Sequence, residues 1–211
     1  MFKTLAITTA TLLLGLSGVS VATAGNFEGL GLSASIGYVK SDVDYSYLDT
    51  DVSGEDGSTK DVAFEVGLSY ALAISGDFIT EVGLTYGLNS LDVERVNYTD
   101  TQFSDEYHLE ATVKNHFSLY VSPGYRFQPN WLVYGKLAYH QMQVDYRDSA
   151  TGKSSKTFDG IGYGLGLAYA LGSNVEAGVE AQYIDYQSYR RGIVKAEPST
   201  TQLSWLLTYR F

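Results

Sequence analysis

The sequence predicts an all-β protein: one eight-stranded antiparallel transmembrane β-barrel with short periplasmic turns and long extracellular loops. Three observations lead there. Eight segments alternate apolar with small or polar residues at a period of 2, a hydrophobic leader precedes them, and 211 residues include 18 Tyr but no Cys. An exported chain without disulfides must draw its stability from elsewhere. A sheet closed in lipid supplies it, because every backbone donor is paired and no edge is left over. A net charge of -10 argues against a nucleic-acid partner.

The leader is read first. Residues 1–24 carry Lys3, an apolar and small-residue run from Leu5 to Val21, and then Ala22-Thr23-Ala24. These are the basic, hydrophobic and small-residue regions of a secretory signal peptide, and cleavage after Ala24 leaves 25–211 as the barrel domain. A retained transmembrane anchor is the alternative. Thr8, Thr9, Thr11, Ser17 and Ser20 dilute the run against that reading.

The alternating segments follow in order. The first sets Leu30, Leu32, Ala34, Ile36 and Tyr38 against Gly31, Ser33, Ser35 and Gly37. The second sets Val62, Phe64, Val66, Leu68 and Tyr70 against Ala63, Glu65, Gly67 and Ser69, and after Ser75-Gly76-Asp77 the third sets Val82, Leu84, Tyr86 and Leu88 against Glu81, Gly83, Thr85 and Gly87. In the fourth, Val113, Phe117, Leu119, Val121, Tyr125 and Phe127 face away from Lys114, His116, Ser118, Tyr120 and Arg126. The fifth opens at Trp131 after Gln128-Pro129-Asn130 and turns Val133, Leu137 and Tyr139 outward, with Tyr134, Lys136, Ala138 and His140 inward. The sixth alternates Ile161, Tyr163, Leu165, Leu167 and Tyr169 with glycines 160, 162, 164 and 166 and Ala168. The seventh sets Val175, Ala177, Val179, Ala181 and Tyr183 against Glu176, Gly178, Glu180 and Gln182, and the eighth sets Leu203, Trp205, Leu207, Tyr209 and Phe211 against Gln202, Ser204, Thr208 and Arg210. In a transmembrane barrel the apolar member of each alternation meets lipid and the small or polar member fills the lumen.

Three connections are tight, around Gly76, Pro129 and Ser173, and four are long and polar, about 41–60, 90–108, 146–157 and 187–200. Short and long connections alternate, as they do when one end of a barrel faces the periplasm and the other the outside. The outward aromatics fall in two belts. Tyr70, Phe127, Trp131, Tyr169 and Phe211 lie at the short-turn end, and Tyr38, Tyr86, Tyr139 and Tyr183 toward the long loops, as expected of amphipathic rings at two membrane interfaces.

With these residues in view, residues 25–211 resemble the small eight-stranded outer-membrane barrels of Gram-negative bacteria, a group that includes the OmpA transmembrane domain, the OmpX and Ail proteins and the opacity-type porins. The most specific parts are the run from Tyr163 to Gly172 and the ending Leu203, Trp205, Leu207, Tyr209, Phe211. The resemblance implies residence in the bacterial outer membrane. It also implies that the C-terminal alternation is similar to the signal read by the barrel-assembly machinery. The sequence stops at Phe211, where full-length OmpA proteins continue into a peptidoglycan-binding domain, so a wall-anchoring role is not expected.

The inward charged residues are Glu65, Glu81, Glu176 and Glu180 against Lys114, Lys136, Arg126 and Arg210. Eight strands leave an interior only about wide enough for side chains. A balanced salt-bridge network that plugs the lumen is therefore expected, with a polar conduit as the alternative. Glu176 and Arg210 should meet near the short-turn end, and Glu65, Lys136 and Glu180 nearer mid-height.

Chemistry-bearing patterns are few. His116-Phe117-Ser118 puts His and Ser on one face, a spacing similar to that of the lipid A deacylases, but that face points into the lumen. His140 is expected inward and His108 in a loop. Asp49-Thr50-Asp51-Val52-Ser53-Gly54 opens like a calcium loop, yet Lys60 stands where a bidentate Glu is required. No cofactor or resident metal is indicated by any spacing. Arg190, Arg191 and Lys195 in the last long loop, opposed by Glu197, are candidates for contact with lipopolysaccharide phosphates, whereas the first loop is acidic. The expected function is a monomeric, non-enzymatic surface barrel. Its partners would be outer-membrane lipids, lipopolysaccharide and an unidentified surface ligand. A narrow channel for small or hydrophobic solutes and a lipid A-modifying enzyme are the alternatives.

Overall fold

A computed structural model of the chain describes residues 26–47, 57–100, 105–148, 152–191 and 194–211. The leader 1–24 and most of the calcium-like segment from Asp49 lie outside these residues. In chain order the strands are β1 (Gly29–Tyr47), β2 (Gly57–Ser75), β3 (Phe78–Gly87), β4 (Leu91–Asp100), β5 (Asp105–Gln128), β6 (Trp131–Asp148), β7 (Gly152–Ala170), β8 (Val175–Tyr186), β9 (Tyr189–Arg191) and β10 (Val194–Arg210).

All pairings are antiparallel between chain neighbours, in the order β1-β2-β3-β5-β6-β7-β8-β10, and β10 returns to β1 with Tyr38 opposite Leu203 and Ser33 opposite Thr208. The ring is thus the expected eight strands. β4 prolongs β3 along β5, and β9 prolongs β8 along β10. Asn89 carries β2 across the break between β3 and β4. Its side chain accepts from the Phe64 amide at 2.8 Å and donates to the Val62 carbonyl at 2.7 Å, standing in for a missing strand residue.

A bilayer-spanning strand needs about 9–11 residues, whereas β1, β2 and β7 each have 19 and β5 has 24. The surplus lies at the long-connection end. Much of what the sequence suggested as polar loop is therefore strand: β1 runs on to Tyr47, β7 starts at Gly152, and His108, expected in a loop, pairs with Asn97 between β4 and β5.

The period of 2 continues through these extensions, but the faces exchange character. In the lower part of the barrel the outward positions are apolar and exposed, Leu165 at 70% and Trp205 at 50% among them. Above Tyr38, Tyr139 and Ile161, the outward positions become Lys40, Gln141, Gln143, Asp159 and Asp185. At that same height the inward positions Val43, Val113, Met142, Val144, Phe158, Ile184 and Tyr186 form a buried apolar cluster. The reason is the solvent. Where lipid surrounds the barrel, apolar side chains belong outside. Where water surrounds it, the hydrophobic effect turns them in.

A second inward cluster closes the short-turn end: Phe27, Ala71, Ile79, Leu132, Ala168 and Ala170. Phe27, in the segment leading into β1, is 1% exposed and holds a φ of 72°. A bulky residue tolerates that left-handed backbone only where packing over-determines it. The Asn26 side chain beside it donates to the Pro129 carbonyl at 2.9 Å, fixing this segment across the mouth of the barrel.

Candidate functional site

The lumen between the two apolar clusters carries the polar side chains, and the strands bring them together in two layers. The lower layer is built on Arg210, two positions beyond the residue paired with Glu176 on neighbouring β8. Arg210 Nε donates to Glu176 Oε1 at 2.9 Å, Nη2 donates to Glu176 Oε2 at 3.2 Å and to Glu81, and Nη1 donates to Ser69 Oγ at 3.3 Å. The Tyr120 hydroxyl donates to the other oxygen of Glu81 at 2.7 Å. Lys136 lies 4.4 Å from the centre of the Tyr120 ring and donates to Glu180 at 2.8 Å, and the Tyr134 hydroxyl donates to the second Glu180 oxygen at 3.1 Å.

The upper layer crosses the lumen from β2 to β8. His116 Nδ1 is 3.5 Å from Glu65 Oε1, His116 Nε2 is 2.9 Å from His140 Nδ1, and Gln182 Nε2 is 3.0 Å from His140 Nε2. Gly162 of β7 makes room for this: a Cβ there would stand 2.6 Å from both His140 Nε2 and Gln182 Nε2. Gln202 from β10 completes the layer, donating to Glu65 Oε2 at 3.3 Å and to Ser204 at 2.9 Å. Around the lower layer, from Glu65 down to Phe27, lies a cavity of about 70 Å³, lined by Ser33, Ser35, Ser122 and Thr208 among others. The Ser122 hydroxyl is buried without a protein partner. Ordered water needs about 10–15 Å³ of such space and polar neighbours, and this cavity offers both.

Two of the charged residues read as inward stand elsewhere than in these layers. Lys114 is exposed on the outside, and Val113, read as outward, is 5% exposed on the inside. The β5–β6 pairing shifts register between Val113 and Asn115, and this bulge inserts one residue and reverses the alternation above it. Arg126 does point inward, but at the rim. It lies 3.3 Å from Asp77 and 3.5 Å from Glu28, and its Nη1 donates to the Asn26 carbonyl at 3.3 Å. The expected balance is corrected accordingly: among the described residues, Glu65, Glu81, Glu176 and Glu180 share these layers with Lys136 and Arg210 as permanent cations.

His116 and Ser118 do share a face, but they do not engage each other. The Ser118 hydroxyl is 2.7 Å from Thr85 and 1% exposed, while His116 is turned to His140. A nucleophile needs its base within hydrogen-bond reach, which this pair lacks. Among the described residues no group of three or more His, Cys, Asp or Glu side chains is arranged to hold a metal.

Leu203, Trp205, Leu207, Tyr209 and Phe211 all stand outward on the closing strand, exposed by 45% or more. At the opposite end Arg190 is exposed and pairs with Lys195 across β9 and β10, and Arg191 pairs with Val194. Lys195 is 2.6 Å from Glu197. Beside them Lys156 sits 3.0 Å above the Tyr189 ring, so this edge of the outer rim is basic and aromatic.

A closed ring with an apolar outward band, two aromatic belts and a polar interior defines a transmembrane barrel of the bacterial outer membrane. The chain belongs to the outer membrane protein beta-barrel domain family, whose model matches residues 9–211. Among solved structures, the outer membrane protease OmpT of Escherichia coli aligns with a TM-score of 0.50 at 9% identity, over 86% of this chain and 96% of that one. Ail, the attachment invasion locus protein of Yersinia pestis, aligns with a TM-score of 0.41 at 16% identity, over 85% and 99%. Neisserial surface protein A aligns with a TM-score of 0.42 at 17% identity, over 84% and 97%. Likeness at these identities is likeness of fold. No curated protein matches the sequence.

Proposed function

We propose that this protein is a non-enzymatic surface barrel whose lumen does not conduct. The single observation carrying the reading is the vertical order of the interior. The apolar cluster around Val144 and Ile184 lies at the outer end, then come the His116–His140 layer, the Arg210 layer and the Phe27 cluster at the periplasmic end. Water or an ion crossing the barrel must displace packed apolar groups twice and break hydrogen-bonded charges between them, which is costly at every step. The refolded protein in planar bilayers should give no steady single-channel conductance. A reproducible open level would replace this reading with the narrow channel.

The surface role then falls to the outer rim. Arg190, Arg191 and Lys195 are suited to phosphates of lipopolysaccharide, since guanidinium groups bind such anions in a bidentate fashion. Replacing both arginines with Ala should lower thermal stability only in lipopolysaccharide-containing detergent. Equal behaviour of variant and parent in both detergents removes this contact. The outward C-terminal residues Leu203 to Phe211 are proposed as the assembly signal, tested by the rate of membrane insertion after Phe211→Ala with purified assembly machinery.

A further inference from the structure

The interior is short of positive charge, and the shortage is local to Glu65. Arg210 answers Glu81 and Glu176, and Lys136 answers Glu180. Glu65, with a side chain 13% exposed, has Ser35 Oγ at 3.4 Å, Gln202 Nε2 at 3.3 Å and His116 Nδ1 at 3.5 Å. All three contacts are long, and none comes from a permanent cation. A buried carboxylate in such surroundings calls for a counter-charge.

The adjoining histidines are arranged to hold one. Their ring planes differ by 11° and their centres are 5.1 Å apart, yet the facing nitrogens are 2.9 Å apart. The rings therefore meet edge to edge, nitrogen toward nitrogen. The outer nitrogens are already committed. Gln182 donates to His140 Nε2, and His116 Nδ1–H faces the Glu65 carboxylate. A carboxylate or amide behind each imidazole is the outer shell that orients metal-ligating histidines. A third donor follows from register. Met142 lies directly opposite His116 across β5 and β6, two positions from His140 on the same inward face, and it lines the same small cavity as His116.

We propose that His116 Nε2, His140 Nδ1 and the Met142 thioether bind one soft monovalent cation, copper(I), with Glu65 balancing its charge. Metal–imidazole bonds of about 2.0–2.1 Å at a tetrahedral angle set the two nitrogens about 3.3 Å apart, so the rings need part by only a few tenths of an ångström. Thioether with imidazole is a donor set that favours copper(I). Zinc prefers four ligands and brings a second positive charge that Glu65 alone does not offset. On binding, the His140 proton moves from Nδ1 to Nε2, and the Gln182 amide turns over so that its oxygen accepts it; both histidines then ligate as neutral imidazoles and no net proton is released. The inference is independent of whether the barrel conducts.

The test uses the folded full-length chain in detergent, titrated with copper(I) under ascorbate against a chelator of known affinity, with silver(I) as a redox-inert probe and zinc(II) in parallel. One equivalent of copper(I) and of silver(I) should bind, at least a hundredfold tighter than zinc(II). Met142→Leu, a volume-conserving change that keeps the fold, should lower copper(I) affinity at least tenfold. Glu65→Gln should lower it about 10–100-fold, and His140→Gln should abolish it. Absence of saturable binding, tighter binding of zinc(II), or affinity unchanged in the Met142 and His140 variants overturns the site. So does a histidine pair whose imidazole nitrogen resonances respond to pH but not to added copper(I) or silver(I), which would leave a proton as the counter-charge.

Discussion

Arg210 Nε donates to Glu176 Oε1 at 2.9 Å, between the strand that closes the ring and its neighbour. The same guanidinium reaches Glu81 on β3 and Ser69 on β2, across the lumen. Closure of the sheet and neutralisation of the lower layer are therefore one structural event, since both acids lack their principal cation until β10 is in place.

Removing that cation should be costly. Breaking a buried pair leaves an uncompensated charge worth about 3–5 kcal/mol, so Arg210→Met should lower the unfolding free energy of the detergent-folded protein by that order, read as a fall in its urea midpoint. Adding Glu176→Gln to the variant should recover part of the loss. An unchanged midpoint would mean the layer is already solvated.

The bulge at Val113/Asn115 is tested by two lysines. Lys114→Met, on the water-exposed outside, should change stability by no more than about 0.5 kcal/mol. Lys136→Met breaks the 2.8 Å pair with Glu180 and should cost about 3–5 kcal/mol. If the two variants behave alike, the placement of the bulge is wrong.

Gly166 is required by its neighbour. A Cβ at this position overlaps the Tyr134 phenol, whose hydroxyl donates to Glu180. Gly166→Ala should cost about 1–3 kcal/mol through overpacking, and Tyr134→Leu in the same chain should relieve most of it. Additive effects in the double-mutant cycle would show that the two residues do not compete for space.

The membrane boundary is placed between Tyr139 and Gln141 on β6. Leu165→Arg, within the lipid-facing band, should cost about 2–4 kcal/mol on folding into bilayers. Gln141→Arg, two outward positions from Leu137 and above the belt, should be nearly neutral. Equal penalties would move the boundary upward into the strand extensions.

On the water-exposed part of β1, the Lys40 ammonium donates to Asp42 at 2.9 Å and holds its carboxyl below the ordinary carboxylate range. A lowered folded-state pKa contributes stability above the unfolded value, and this is lost as pH falls through the folded one. The pair is exposed and its contribution small. Lys40→Met should move the Asp42 titration upward in carbon-detected NMR with little change in melting temperature.

The sequence by itself determined the ring. A period of 2 is a local property, and the side chains of β1, β7, β8 and β10 face as their alternation states, because lipid outside and a narrow lumen inside leave no other assignment. Leu165 beside Gly164, and Trp205 beside Ser204, are legible without coordinates. The meeting of Glu176 with Arg210 also followed, since neighbouring antiparallel strands joined by a long outer loop bring those heights together. What the tertiary structure decided was everything set by a register shift, a change of solvent or a distant strand. The bulge at Val113/Asn115 moved Lys114 to the outside. The change from lipid to water exchanged the character of the two faces of β1, β6, β7 and β8, so that Val43, in a segment that read as polar loop, and Val144 and Ile184, just beyond the alternation that read as strand, turned inward. Val-Asp and Met-Gln-Val-Asp alternation was the available signal there, masked by its opposite sense. Phe27 gave no signal, because a single aromatic before a strand says nothing of the cavity it fills. His116, His140, Met142 and Glu65 are spread over 78 positions, and only the pairing of β5 with β6, with β2 facing them across the lumen, makes them neighbours.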